Sequence, residues 1–220
     1  MTDRENELHR MWDVIPIEDQ GWIHLRAIHY LSKDIRVINL SAEQSPCLNE
    51  RKKAFAKLAF ELNDAGYNIY TCFNPIKEDL ALGLHDGVLD KHIARRTRVL
   101  IDLDRAGAAK DPADDQELRS AFDKCSEIEE FISQTFLVDP FKVMSGNGYH
   151  LYLPIDLPND ESSAKQCKQL LRSLHHRFST DRIQVDIKVH NASRITKVPG
   201  TIARKGTESR SRPYRMARVV

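Results

Sequence analysis

The stretch VLIDLDRAG, Val99 to Gly107, places two aspartates inside what otherwise reads as a buried strand. Val99, Leu100, Ile101 and Leu103 are the aliphatic and β-branched types that strands favour. Asp102 and Asp104 are not, and burying a carboxylate costs several kcal/mol unless something pairs with it. Any fold that accepts this strand at its centre must bring compensating charge to one of its faces.

The segments around it predict where that charge comes from. Strand Val99–Asp104 is followed by a predicted helix over Asp114–Thr135, strands Lys142–Ser145 and Tyr149–Ile155 about the turn SGNG, a helix over Asp160–Phe178, and a strand Gln184–Val189. The order β-α-β-β-α-β is the split βαβ unit of ferredoxin-like and RNA-recognition-motif (RRM) folds, with the first strand between the third and the fourth. Side chains alternate along a strand. Ile101 and Leu103 then face the helices, as do Leu151 and Leu153, and Val185, Ile187 and Val189. Asp102, Asp104, His150 and Asp186 converge on the open face. Three carboxylates that close raise one another's pKa. A divalent cation relieves the repulsion, and an all-oxygen ligand set points to Mg²⁺ or Mn²⁺ rather than zinc.

The turn SGNGYH supplies a second element. Gly146 and Gly148 allow backbone N–H groups to approach an anion, with Ser145 and His150 as side-chain donors and Asn147 between the glycines. Downstream, Arg194 and Lys197 are placed to clamp a polyphosphate from the other side. Metal carboxylates, a phosphate turn and cationic clamps are the parts of two-metal phosphoryl transfer. Each part alone has a plainer reading: DxD as a turn or ion pair, SGNG as a hairpin turn, a strand histidine as a satisfied structural group. Their order and shared face within one βαββαβ frame favour the site.

Net charge is only +1, from 33 basic and 32 acidic residues, but it is unevenly spread. From Lys188 onward, Lys188, Arg194, Lys197, Arg204, Lys205, Arg210, Arg212, Arg215 and Arg218 face a single acid, Glu208. Lys91, Arg95, Arg96 and Arg98 form a second basic cluster just before the aspartate strand. Basic clusters flanking an acidic pair fit a polyanion near bound metal as well as solvated surface. The cysteines, Cys47, Cys72, Cys125 and Cys167, form no CxxC pair, which argues against a zinc knuckle or disulfide framework and for a reducing cytoplasm. No apolar run approaches the ~20 residues needed to span a bilayer.

The first part of the chain predicts a helix over Glu5–Trp12, strands near Trp22–Ala27 and Ile35–Leu40, a helix over Asn49–Asn63 closed at Gly66, and a strand NIYTCF stopped at Asn74-Pro75. Residues 76–96 read as loop with short helical pieces. The C-terminal RPYRMARVV reads as a strand without an obvious closing element.

LIDLD, then SGNGYHLYLPIDLP, then VDIKVHNASRITKVPGTIARKG together resemble the archaeo-eukaryotic primase (AEP) superfamily. Within it they are similar to the primase-polymerase domains at the N-termini of plasmid, phage and bacterial primase-helicases. The resemblance runs from about Asn74 to Val220. It implies an α+β fold: one catalytic domain over 1–220, with an N-terminal α/β module (about 1–96) packed on an RRM-like module (97–220) and the active site in the cleft between them. It implies a DNA primase/DNA polymerase, a nucleotidyltransferase acting on single-stranded DNA template with primer and dNTP or NTP. Asp102, Asp104 and Asp186 would hold two Mg²⁺ or Mn²⁺, and Ser145, His150, Arg194 and Lys197 the nucleotide. Asn74, from the family stretch entering the cleft, and Arg95, Arg96, Arg98, Arg204 and Lys205 would meet nucleic acid or nucleotide. A helicase domain in the same longer chain is a further expectation. Some relatives carry arginines in the turn where this chain has Asn147, and many carry a zinc module for which its cysteine spacing offers no ligands. The alternatives are a non-catalytic single-stranded nucleic-acid-binding RRM-like module and a replication-initiator nickase. The first wants aromatics where this strand has aspartates. The second wants His-x-His where this strand reads His150-Leu151-Tyr152. A metal-dependent nuclease shares the carboxylates and differs in not needing nucleoside triphosphate.

Overall fold

The structure, a computed structural model, describes residues 1–80, 82–107 and 110–220. Its elements in chain order are α1 (Asp3–Val14), β1 (Ile23–His29), β2 (Ile35–Leu40), α2 (Leu48–Asp64), β3 (Tyr67–Cys72), β4 (Arg95–Arg105), α3 (Asp115–Phe136), β5 (Phe141–Met144), β6 (Tyr149–Pro158), α4 (Glu161–Phe178), β7 (Ile183–Val185), β8 (Ile195–Lys197), β9 (Ile202–Ala203), β10 (Arg215–Met216) and β11 (Arg218–Val219). A 3₁₀ turn at Asp90–His92 is the helical piece of the 76–96 loop, within which residue 81 lies outside the described residues.

β4, α3, β5, β6, α4 and β7 form the expected βαββαβ unit. Its sheet has the order β11-β5-β6-β4-β7, so the aspartate strand lies between β6 and β7. All its strand pairings are antiparallel, with Asp102 opposite His150 and Leu103 opposite Val185. The amphipathic helices cover one face. Ala121, Cys125, Ile128 and Ile132 of α3 and Cys167, Leu171 and Leu174 of α4 are buried with Ile101, Leu103 and Leu151. Both helices start at an aspartate. Asp114 accepts from the Glu117 N–H and Asp160 from the Ser163 N–H, each at 2.8 Å, satisfying donors that a helix start leaves open.

The second sheet has the order β2-β1-β3-β8. α1 and α2 pack Met11, Trp12, Phe55 and Ala59 against Leu25, Ala27 and Ile69, and this core is continuous with that of the first unit. β8 comes from beyond the βαββαβ unit yet hydrogen-bonds to β3, Thr71 opposite Thr196. Residues 195–197 thus extend the sheet of the N-terminal part, across the sequence division at residue 96.

Three expectations need correction. The fourth palm strand ends at Val185 rather than Val189, because Asp186 accepts the Lys188 N–H at 2.8 Å and turns the chain. Asp186 and Lys188 therefore do not share a strand face. The aspartate strand begins at Arg95 rather than Val99, with a bulge between Arg96 and Arg98. The C-terminal residues do close: β10 pairs with β9 and β11 pairs with β5 at the sheet edge, where Glu7 of α1 accepts the Val219 N–H at 2.7 Å.

Candidate functional site

The open face of β4 and β6 forms the floor of a cavity of about 810 Å³. The second sheet, β2-β1-β3-β8, and the β9–β10 segment wall it. Asp102 and Asp104 share the β4 face with Leu100, and His150 stands beside Asp102 on β6. His150 Nε2 lies 3.4 Å from Asp102 Oδ1, and that oxygen is buried without a hydrogen-bond partner. Asp104 opens to the cavity but has protein around its other sides. That desolvation, and then the Asp102 charge, push its carboxyl up to about 6, against the pull of Lys205, His150 and Arg105. His150 is also shifted up: burial opposes its charged form, and the Asp102 and Asp104 carboxylates outweigh burial.

An orphaned carboxylate oxygen next to a carboxyl whose ionisation is opposed by desolvation and by its neighbour's charge is the condition a divalent cation relieves, and oxygen donors suit Mg²⁺ or Mn²⁺. Asp186 also lines the cavity, and its N–H donates to the Asp102 carbonyl at 2.9 Å. Its Oδ1 accepts the Lys188 N–H, which leaves Oδ2 outside the turn, and among the described residues no three acidic, histidine or cysteine side chains form a ready metal cluster. Asp102 and Asp104 fit a cation as they stand. Asp186, with Oδ2 outside that hydrogen bond, fits as a third ligand.

The opposite wall is cationic. Lys197 is almost wholly buried, with its Nζ donating to Ile202 O at 3.1 Å and Asn68 Oδ1 at 3.3 Å and lying over the Tyr70 ring. Burial, and then the Arg204 charge, hold its ammonium well below the usual lysine range. Arg194 is pinned by Asn191 Oδ1 at 2.9 Å and Lys188 O at 2.7 Å, and Arg204 by Asn63 O at 2.8 Å. Lys205 completes the set named from sequence. An unpaired buried lysine among arginines, facing carboxylates across a cavity, is built for an anion that carries its own cation.

The SGNG turn closes one end. Gly148 is obligatory, because a Cβ there would come within 2.2 Å of the Leu103 carbonyl. Gly146 has φ +104° and backs onto Ala203. Ser145 and Asn147 line the cavity, and Asn147 Oδ1 accepts the Ala113 N–H at 2.9 Å, which ties the turn to the start of α3.

Four residues expected at this site lie elsewhere. Asn74 is buried and staples the β4 bulge: its Oδ1 accepts from the Thr97 and Arg98 N–H groups and its Nδ2 donates to Ala192 O. Arg96 is buried and donates to His190 O. Arg98 donates to Val14 O and Thr97 O. Arg95 pairs with Asp156 at the far end of the strand. Arg96 and Arg98 of the basic run before the aspartates are therefore engaged with backbone carbonyls, whereas Lys91 and Arg95 stay exposed. The cavity instead recruits residues that the sequence reading passed over: Tyr70 and Asn68 of β3, Thr196 of β8, and Lys110. Tyr70 and Asn68 alternate along a strand, which was a usable signal. Nothing local showed which face of β3 would meet the carboxylates.

No helix among the described residues is long and apolar enough to cross a membrane. No protein-family model matches the chain, and no curated protein matches it in sequence. Solved structures do match. The AEP domain of the cyanophage S-2L primase-polymerase superposes with a TM-score of 0.56 at 11% identity, covering 98% of this chain and 89% of that one. Primase RepB′ gives 0.56 at 12% identity, covering 99% of this chain and 56% of that one. The catalytic domain of primase RepB′ in complex with initiator DNA gives 0.55 at 12% identity, covering 99% and 84%. At such identities the likeness is one of fold: the chain shares the α+β fold of these primase and primase-polymerase domains.

Proposed function

We propose that the chain is a template-directed nucleotidyltransferase, a DNA primase or DNA polymerase, acting at the cavity between its two sheets. The observation that carries this is the opposition of Asp102 and Asp104 on one wall to Lys197, Arg194, Arg204 and Lys205 on the other, within a fold shared with primase catalytic domains. Asp102, Asp104 and Asp186 are the residues that would hold two Mg²⁺ or Mn²⁺ ions. When bound, such ions supply activation of a primer 3′-hydroxyl and neutralisation of the triphosphate. The chain's own part is placement. Lys197 and Arg194, set on or beside β8, orient the triphosphate of a dNTP or NTP, with Ser145, His150 and the N–H groups of residues 146–148 at its other side. Arg204, Lys205 and Lys110 at the cavity rim offer cations to template and primer phosphates, so single-stranded DNA binding weakens steeply with salt. In this reading residues 1–96 with β8 form the nucleotide-facing wall and the βαββαβ unit the palm, as one catalytic domain over 1–220.

The test is primer extension on single-stranded DNA with and without an annealed primer, supplied with Mg²⁺ or Mn²⁺ and either dNTPs or NTPs. Extension is expected in the wild type and lost in the Asp102→Ala/Asp104→Ala variant, which keeps its DNA binding. Absence of extension from wild-type protein that still binds DNA overturns the catalytic reading in favour of a binding module.

A further inference from the structure

Directly behind the Asp102–His150 contact, three buried polar groups from two different sheets meet. Tyr152 Oη lies 2.5 Å from Thr196 Oγ1, and the two hydroxyls lie 3.3 and 3.2 Å from His150 Nδ1. Tyr152 and His150 belong to β6, and Thr196 belongs to β8 of the other sheet. Their relative exposures are 1%, 7% and 2%, so water does not satisfy them. Phenylalanine and valine would fill the same space without burying two hydroxyls. Both hydroxyls instead reach the one ring nitrogen that points away from the carboxylates.

Counting protons shows what this achieves. The two hydroxyls bring two hydrogens. Of the two neutral tautomers, only the one with Nδ1 bare uses both: one closes the Tyr152–Thr196 bond and the other is donated to the Nδ1 lone pair, which puts the ring's own proton on Nε2, whereas a proton on Nδ1 leaves one hydroxyl hydrogen without an acceptor. In an imidazolium ring, Nδ1–H donates to a hydroxyl oxygen, and Nε2 again carries a proton. In both states the nitrogen on the Asp102 side of the ring is an N–H donor.

We propose that Tyr152 and Thr196 form a positioning pair that holds His150 as an Nε2–H donor toward the anionic group occupying the cavity, and so excludes it from acting as a base at that nitrogen. Under the nucleotidyltransferase reading, on which the identity of the anion rests, the acceptor is a triphosphate oxygen. The pair spans both sheets, so it also sets the ring's position relative to Lys197, the residue after Thr196. Docking of the two sheets and orientation of the donor are then one contact.

The experiment uses the whole chain labelled with ¹⁵N-histidine. His150 is assigned by its loss in His150→Gln, and long-range ¹H–¹⁵N spectra are recorded at a pH where the ring is neutral. The wild type is expected to show His150 protonated on Nε2 and bare on Nδ1. The Thr196→Val/Tyr152→Phe double variant, which removes both hydroxyls, is expected to lose that preference, and Thr196→Ser to keep it. In primer extension, the double variant should raise the KM for nucleoside triphosphate about tenfold with kcat changed less than threefold, and Thr196→Ser should leave it near the wild-type value. A wild-type ring bare at Nε2 overturns the proposal. So does an unchanged tautomer and KM in the double variant. If the tautomer behaves as expected in a wild type that shows no nucleotide transfer, the positioning pair stands and the nucleotidyltransferase reading falls.

Discussion

Replacing Asp104 by asparagine should make the protein more stable and inactive, and the stability gain should depend on pH. Asp104 sits in the fold with its carboxyl pushed up to about 6 from an ordinary 3.8, first by desolvation and then by Asp102. The sign follows from proton linkage. Between pH 4 and 6 the folded state holds a proton here that the unfolded chain has released, so folding stability falls as pH rises through this window and stays lowered above it. A shift of roughly two units corresponds to about 3 kcal/mol at most. Asp104 is open to solvent on the cavity side, so screening reduces this to roughly 1–2 kcal/mol. For a chain of this size that is a melting-temperature difference of about 2–8 °C.

The assay is thermal unfolding of wild type and Asp104→Asn in EDTA across pH 4 to 8. The variant is expected to match the wild type near pH 4 and to pull ahead by about 2–8 °C at pH 7 and above, the range set by the discounted shift. Other titrating groups are common to both proteins and cancel in the difference. Added Mg²⁺ or Mn²⁺ should raise the wild-type melting temperature at pH 7 and close the gap, since binding to the native state alone stabilises it. A difference that is flat with pH, or a variant less stable than wild type at pH 7, refutes the claim that the two carboxylates oppose each other in the empty site.

Three further perturbations separate the roles assigned to other residues. Lys197→Met should raise the melting temperature at neutral pH by removing a buried ammonium without a carboxylate partner, and should raise the nucleotide KM at least about tenfold in primer extension. Glu117 is held at about 2: burial opposes its ionisation, but hydrogen bonds from Arg212, the Asp114 N–H and Arg105 prevail. Its depressed pKa contributes stability above its ordinary 4.5 that is lost as pH falls toward 2, so Glu117→Gln should cost about 1 kcal/mol at pH 7 in denaturant melts and little at pH 2. Asn74→Ala should cost about 2–3 kcal/mol by leaving the bulge N–H groups unpaired, while the salt dependence of DNA binding stays that of the wild type.

The palm was legible because its signals are local and repeated. Ile101 and Leu103 alternate with Asp102 and Asp104, α3 and α4 carry aspartate caps and apolar stripes, and Gly146 and Gly148 mark a turn. Each of these fixes a face or an end by short-range geometry, and the β11-β5-β6-β4-β7 order follows the expected unit. The reading failed at Asp186 for an equally local reason. VDIKV alternates like a strand, but an aspartate two residues before a free N–H can stop a strand by accepting from it, and periodicity carries no trace of that competition. Within the basic run, Arg96 and Arg98 misled in the other direction. Charge alone does not distinguish an arginine that meets phosphate from one that satisfies backbone carbonyls, as Arg96 and Arg98 do.

What stayed hidden is the means by which one wall of the site reaches the other. β8 is three residues long, too short to declare itself, and its partner β3 lies far back in the chain. Yet β8 places Lys197 in the cavity and Thr196 against His150 and Tyr152. The carboxylates belong to a strand that would fold in any βαββαβ unit, whereas the cations facing them depend on a long-range pairing. Asn63 and Asn68 secure that pairing by bonding residues 202 and 204 through their side-chain amides, in place of a longer ladder. The acidic wall is therefore written in local pattern and the basic wall in tertiary contact. A substitution at Asn68, outside the carboxylate and phosphate motifs, should loosen the cationic side while leaving Asp102 and Asp104 in place.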